Sequence, residues 1–333
     1  MNLDLSTYPA LISLIVMILG GAILIGGAHF LVTASVAVAT KMKLSPFFIG
    51  ATVVAFGTSV PELAASLYAN LSGKSAIALG NVIGSNIANL GLVLGAVALF
   101  KPIPVKSRSL TSDLILVILV GAVPLLALPF SDQLNFGHGV LLLLVLVLYF
   151  WRLKGRKIEN PPTNDEAREA PSMANWLAVI AVISGCIMLV VGSQLFIEGA
   201  VVIGREIGIS EAVIGLTLIA FTTSLPELVT SIYAAMRGHQ ELGIGNILGS
   251  CIMNVLGILG IVLLFGPITV DPQVYLLDVP VLLLVSIACV PILLSGMRVV
   301  RLEGMFLLVL YLAYVTTLFL FVPGWFGVAE AGG

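Results

Sequence analysis

The chain has 333 residues, of which 59% are hydrophobic and only 10% charged, with a formal net charge of −2. Soluble domains carry about 25% charge and about 45–50% apolar residues, so this composition, with a mean hydropathy of +1.15, excludes a soluble globule, and equally a disordered, collagen-like or disulfide-built chain. The 15 basic residues form no block beyond one short loop, which argues against nucleic-acid binding.

A helix that crosses the bilayer core needs about 20 apolar residues. Ten such spans are expected, at 9–38, 47–71, 75–99, 112–130, 136–152, 175–204, 212–236, 240–265, 275–295 and 303–322. Long unbroken apolar runs exclude a transmembrane barrel, whose strands are short and alternating. The first run has no basic segment before it and is too long for a signal peptide, so it is expected to be a retained helix. Cys186, Cys251 and Cys289 lie in apolar stretches without CxxC spacing and read as packing residues.

The loops set the orientation. On the side of the N-terminus they hold Lys74 and Arg205; the other thirteen basic residues fall on the opposite side. Basic loops stay cytoplasmic, so both termini are expected outside, in agreement with an even number of spans. The longest polar segment, 153–174, is proline-containing and of mixed charge, and reads as a cytoplasmic linker between two halves, 1–152 and 175–333.

Residues 50–95 align with 215–260 at a constant shift of 165, and 21 of these 46 positions are identical. Shared Pro, Glu, Asn, Ser and Gly at fixed places point to duplication rather than to the general likeness of apolar helices. Five spans per half is an odd number, so the second half is expected to enter the membrane from the opposite side. The expected fold is thus an all-α integral membrane protein of ten transmembrane helices in two inverted-topology five-helix repeats. Secondary transporters are often built this way, with the substrate near the midplane where the repeats meet.

Two repeat-equivalent acids, Glu62 and Glu227, stand in mid-span. A carboxylate there is costly, and functional by default. Thr58, Ser59 and Pro61 precede the first; Thr223, Ser224 and Pro226 precede the second. Proline lacks an N–H and clashes with the carbonyl four residues back, so breaks are expected near Gly57 and Thr222. Freed carbonyls need partners inside a membrane, and a cation is one. In the following span Asn81, Ser85 and Asn89 fall at i, i+4 and i+8, and Asn246, Ser250 and Asn254 repeat that spacing. They read as a polar stripe facing the cluster, with helix–helix hydrogen bonding as the competing role, above all for Asn81 and Asn246. Gly80, Gly84, Gly245 and Gly249 permit close helix approach or local unwinding. Without His or Cys, an all-oxygen cluster suits hard cations. Two carboxylates match one Ca²⁺ in charge, and Ca²⁺ tolerates irregular oxygen cages better than Mg²⁺; several Na⁺ ions could use the same oxygens in competition.

AFGTSVPE and AFTTSLPE, with GNVIGSNIAN and GNILGSCIMN, closely resemble the paired alpha-repeats of the cation/calcium exchanger superfamily, and the layout is similar to its bacterial and archaeal sodium/calcium exchangers. GGAHFLVTASV at 26–36 and GSQLFIEGAVV at 192–202 extend the resemblance over both halves. It implies alternating access, with the first helix of each half sliding over a rigid core, and four cation sites between the repeats. By the same resemblance Glu62 and Glu227 would be the central Ca²⁺ acids, and Thr58, Ser59, Thr223 and Ser224 would ligate Na⁺ or Ca²⁺. Ser85 and Ser250 would complete outer Na⁺ sites, the carbonyls of Ala55 and Ala220 would join them, and Asn89 and Asn254 would occupy the central polar position. The implied setting is a prokaryotic inner or plasma membrane, with Na⁺, Ca²⁺ and the bilayer as partners and no cofactor.

Three positions depart from the family pattern. Asn254 stands where Asp accompanies potassium dependence, which favours a potassium-independent exchanger. Thr222 replaces a usual Gly. Glu198 has only Thr33 as its repeat counterpart, and reads either as a gate residue or as a helix-end acid. The rival readings are a proton-coupled Ca²⁺ antiporter, disfavoured by Ser85 and Ser250; a channel; and an intramembrane enzyme, for which Ser59 lacks a neighbouring base. His29 is expected to be a polar residue facing the bundle.

Overall fold

The structure, a computed structural model, describes residues 10–104, 109–127, 133–155, 173–208, 223–295 and 298–321. α1 (Ala10–Met42) is followed by α2 (Pro46–Thr58) and α3 (Val60–Leu71), then α4 (Ser75–Phe100) and the two-residue strand β1 (Ile103–Pro104). α5 (Ser109–Gly121) continues after a break into one turn of helix at Val123–Ala127, and β2 (Gln133–Leu134) leads into α6 (Phe136–Lys154). The second half comprises α7 (Asn175–Glu206), α8 (Leu225–Met236), α9 (Gln240–Phe265), β3 (Ile268–Thr269), α10 (Val279–Ser295, entered through a π-helical turn at Val274–Asp278), β4 (Arg298–Val299) and α11 (Arg301–Phe321).

Among the described residues seven helices are long and apolar enough to cross a membrane, and the bent pair α2–α3 makes an eighth. The expected span at 112–130 is carried by the shorter α5 and its extra turn, and of the expected span at 212–236 only 223–236 lies within the described residues. Most of the expected linker, 156–172, lies outside them.

Local chemistry sets the helix starts. Ser45 Oγ accepts from Phe48 N at 3.0 Å and Pro46 takes the first position of α2. At α6, Asn135 and His138 form a reciprocal cap, satisfying N–H groups that a first turn leaves orphaned. The helices then sort by burial. The most apolar stretches of α4 and α9 are 83% and 89% buried, against 28% for α1 and for α6. α4 and α9 are therefore the central pair, and the outer helices turn residues such as Leu144, Leu148, Ile183 and Ile187 outward. In a bilayer those side chains meet lipid rather than water.

The shift of 165 seen in the sequence also relates positions in space. α1 and α7, α4 and α9, β1 and β3, β2 and β4, and α6 and α11 each begin 165 residues apart. The strands pair across the halves: Ile103 with Val299 in one ribbon, and Leu134 with Ile268 in the other. Shifting one pair by 165 generates the other. The last helix of each half is exchanged in the same way, α6 packing on α9 and α11 on α4.

α1 and α7 cross in backbone contact. A Cβ on Gly27 would lie 2.8 Å from Leu189 N, one on Gly185 2.9 Å from Leu31 N, and one on Gly192 2.6 Å from Leu24 N; one on Gly20 would strike Phe196 N. Small residues let apolar helices approach this closely. The relation between halves breaks down elsewhere. α1 packs along α8, whereas the equivalent pair, α7 and α3, scarcely meet. Tyr233 on α8 is half-buried, while its counterpart Tyr68 is 76% exposed.

Gly20→Ala is expected to destabilise the protein by about 1–3 kcal/mol through overpacking. Gly21→Ala, whose Cβ would stand 3.5 Å from the Phe196 ring, is expected to be neutral. Thermal unfolding of the two variants in detergent compares them directly.

Candidate ion-binding site

The site forms where the broken helix α2–α3 and the start of α8 meet the central pair. α2 ends at Thr58, Ser59 takes a non-helical φ/ψ of −89°/8°, and α3 starts at Val60 with Pro61 in its first turn, where a missing N–H costs nothing. The bend is 47°. Ser224 has nearly the same conformation, −88°/1°, before α8 and Pro226. The first break lies at Ser59 rather than at Gly57. Proline removes the bond to Gly57, but the backbone turns at the junction residue ahead of the new helix. Thr222, the expected second break, lies outside the described residues, and the irregular residue observed is again two positions later.

Each Glu sits in the first turn of its helix, Glu62 on α3 and Glu227 on α8. Helix N-termini carry partial positive charge, which favours a carboxylate there. Both side chains are fully buried. Glu227 Oε1 accepts from Ser59 Oγ at 3.1 Å, so the first half's break closes on the second half's acid. Among the described residues Glu227 Oε2 and both carboxylate oxygens of Glu62 have no hydrogen-bonding partner. The two carboxylates lie near enough to feel one another's charge.

The other expected residues gather around them. Thr58 Oγ1 lies 3.2 Å from Asn246 Oδ1 and 3.3 Å from the Ala55 carbonyl. That carbonyl also accepts from Ser59 N at 3.0 Å, so in this conformation it caps the broken end instead of standing free. Ser85 Oγ and Thr223 Oγ1 are 3.4 Å apart. Ser224 is buried. Asn89, Ser250 and Asn254 are buried, and among the described residues Ser250 Oγ and Asn254 Oδ1 have no hydrogen-bonding partner. Ala220 lies outside the described residues. Buried polar atoms are almost always paired. Such unpartnered oxygens on the helices that carry and flank the two carboxylates make this a candidate cation site.

Asn81 and Asn246 work largely as helix ties. Asn81 Nδ2 donates to Ser66 Oγ at 2.9 Å and to the Glu62 carbonyl at 3.2 Å, and Asn246 Nδ2 donates to Ser231 Oγ at 2.9 Å. Each thereby fastens a central helix to the helix bearing the acid. Of the four expected glycines, Gly245 and Gly249 permit close approach, since a Cβ on Gly245 would meet the Phe47 carbonyl at 2.5 Å and one on Gly249 would strike Ala51, whereas a Cβ on Gly84 would meet nothing within 4 Å. Asn89 begins a π-helical turn, Asn89–Val93, and Asn254 is the second residue of another, Met253–Leu259, a widening common at functional sites and absent from the sequence reading.

Three further residues differ from the reading or escaped it. Asn86 is buried between Cys251 and Asn254; its repeat counterpart is Cys251, so a search for duplicated polar residues passes over it. His29 faces outward on α1 rather than into the bundle, and its Nδ1 lies 2.7 Å from Tyr233 Oη on α8. Glu198 is half-buried on α7, and among the described residues no hydrogen bond joins it to the central cluster.

Among the described residues no group of three or more His, Cys, Asp or Glu converges as a metal site. The donors are hydroxyls, amide oxygens and two carboxylates, which favours hard cations. Millimolar Ca²⁺ is therefore expected to raise the unfolding midpoint of the detergent-purified protein over a chelator control. The gain is about 2.7 kcal/mol at a hundredfold excess over Kd, and Glu62→Gln is expected to abolish it.

Known proteins resemble this arrangement along their whole length. The sequence model for "Sodium/calcium exchanger protein" matches residues 12–154 and again 177–320. A putative antiporter, CaxA, of Alkalimonas amylolytica is 36% identical, over 93% of this chain and 99% of that protein. The sodium/calcium exchanger MaX1 of Methanosarcina acetivorans is 31% identical, over 92% and 99%. A solved structure of the sodium-calcium exchanger NCX_Mj, soaked with 10 mM Na⁺ and zero Ca²⁺, superimposes with a TM-score of 0.76 at 32% identity, covering 93% of this chain and all of that one.

Proposed function

This chain belongs to the sodium/calcium exchanger protein family, and on that premise we propose that it exchanges Na⁺ for Ca²⁺ across a membrane by alternating access. The observation that carries the reading is the pair of buried, repeat-equivalent glutamates whose free oxygens sit among unpartnered hydroxyls and amides. An uncompensated buried carboxylate costs several kcal/mol. One Ca²⁺ neutralises both acids, and Na⁺ ions drawn to the same oxygens displace it. Glu62 and Glu227 are the central ligands in this proposal. Thr58, Ser59, Ser85 and Asn89 from the first half join Thr223, Ser224, Ser250 and Asn254 from the second, with the carbonyls of Ala55 and Ala220 released to the ions as the breaks rearrange. Asn254 favours independence from K⁺.

The proposed architecture is ten transmembrane helices in inverted repeats, 1–152 and 175–333, joined by a cytoplasmic linker at 153–174, with both termini outside. The charge bias of the loops supports the orientation. The recurrence of elements at 165 and the exchanged strand pairs support the repeat. The family model also matches the chain in two successive stretches.

The unequal seams support alternating access. On the side bearing Arg237, α1 is held against α8: His29 Nδ1 meets Tyr233 Oη at 2.7 Å, Arg237 Nε donates to the same oxygen at 3.0 Å, and its guanidinium lies 5.2 Å from the Tyr233 ring. On the other side the equivalent residues, Gln194 and Tyr68, belong to helices that scarcely meet. With Arg237 cytoplasmic, this conformation is closed inside and open outside. In the opposite conformation α7 closes on α3.

Radiocalcium uptake into proteoliposomes tests the exchange. Uptake is expected only with Na⁺ inside, unchanged by added K⁺, and lost in Glu62→Ala and Glu227→Ala. Uptake driven by an acidic interior alone would establish proton coupling instead. For the seams, a bifunctional thiol cross-linker long enough to replace the two side chains is expected to join the His29→Cys/Tyr233→Cys pair in the present conformation, where the native side chains meet at their tips, and the Gln194→Cys/Tyr68→Cys pair only in the opposite one. Simultaneous cross-linking of both pairs in one molecule would refute alternation.

A further inference from the structure

Asn86 is fully buried on α4, and the amides around it have only one workable orientation. Its Nδ2 donates to the backbone carbonyl of Cys251 at 3.0 Å. A carbonyl can only accept, so the Asn86 amide cannot be turned over, and its Oδ1 faces the other way. There it accepts from Asn254 Nδ2 at 3.0 Å. The Asn254 amide is fixed in turn, with its nitrogen engaged and its Oδ1 buried without a partner. The chain of donors thus begins at a backbone atom and ends at a bare oxygen. At the repeat-equivalent place the residue 165 after Asn86 is Cys251, whose thiol has no amide to fix the orientation of Asn89 as Asn86 fixes that of Asn254.

We propose that Asn86 is a positioning residue that presents Asn254 Oδ1 to the transported cation and keeps position 254 neutral. This rests on the cation-binding reading above and deepens it. A carboxylate at 254 would set an oxygen with no hydrogen against Asn86 Oδ1. Turning Asn86 to offer its Nδ2 would set Oδ1 against the Cys251 carbonyl. Either arrangement leaves two buried acceptors facing one another, which polar interiors avoid. Asn86 therefore holds the charge of the cluster at that of Glu62 and Glu227 alone, suited to one divalent ion.

The test is a double-mutant cycle read twice: as Ca²⁺ Kd by calorimetry on detergent-purified protein, and as KM and kcat for Na⁺-driven uptake. Asn86→Ala is expected to raise the Ca²⁺ Kd and KM about tenfold, with kcat at saturating Ca²⁺ within about twofold. Asn254→Ala is expected to do the same, and the double variant to be no weaker than Asn254→Ala alone, because Asn86 acts through Asn254. Asn254→Asp is expected to bind Ca²⁺ more weakly than wild type, and to recover when combined with Asn86→Ser, whose hydroxyl can turn to donate to the new carboxylate. The proposal falls if the two alanine effects multiply, if Asn86→Ala leaves Kd unchanged, or if Asn254→Asp binds as tightly as wild type. Should Asn86→Ala not fold, the Asn254→Asp and Asn86→Ser pair decides alone. A wild type that binds Ca²⁺ without Na⁺-driven uptake overturns the exchange reading and leaves the cycle readable by calorimetry. A wild type that binds no Ca²⁺ overturns both.

Discussion

Two carboxylates brought together in an apolar interior are the constraint on which the rest of the molecule depends. Both are fully buried, and among the described residues the Glu62 carboxylate has no hydrogen-bonding partner. Everything nearby answers to that. Each acid lies in the first turn of its helix, just after a non-helical serine, where the helix end carries partial positive charge. The central helices widen into π-turns at Asn89 and from Met253. Asn81 and Asn246 pin central helices to acid-bearing ones. A site that a cation completes can be left by that cation only at the cost of exposing this arrangement again, so occupancy and conformation are coupled by the same electrostatics.

The acids were legible in the sequence because a membrane interior makes a charged residue conspicuous and duplication makes it unmistakable. The same logic located Ser59, Ser85, Asn89, Ser250 and Asn254. It failed where the physics is local or asymmetric. Proline reports which hydrogen bond is missing, and the junction residue that turns, Ser59, depends on how the next helix starts. A π-turn leaves no mark in composition. Asn86 was hidden by its counterpart, Cys251, because a search by symmetry discards residues that the symmetry does not repeat. His29 faces outward because its partner, Tyr233, sits at a helix seam that spacing along one helix does not reveal.

The repeat was equally plain in sequence, but not its consequence in space. Matching halves suggest two bundles side by side. The structure instead exchanges their last helices and their strands, so that α6 completes the second half and α11 the first. Against that shared frame the pair α1 and α7 is held mainly by its own glycine-lined crossing, and it is their contacts with α8 and α3 that differ between the halves. Repeated sequence motifs therefore support two unequal arrangements at once, one at each seam.

The exchanged strands also bear on how the molecule is made. Ile103 finds its partner only in Val299, which leaves the ribosome roughly 200 residues later; at roughly 5–20 residues per second that is a wait of about 10–40 s. The same holds for α4, whose flank stays uncovered until α11 arrives. The first half thus enters the membrane as an unfinished object, with Glu62 already inserted and its surroundings incomplete. The order of synthesis sets an interval in which the contacts that cross between the halves are missing, and the strand ribbons and the flanks of α4 close only as the second half is made.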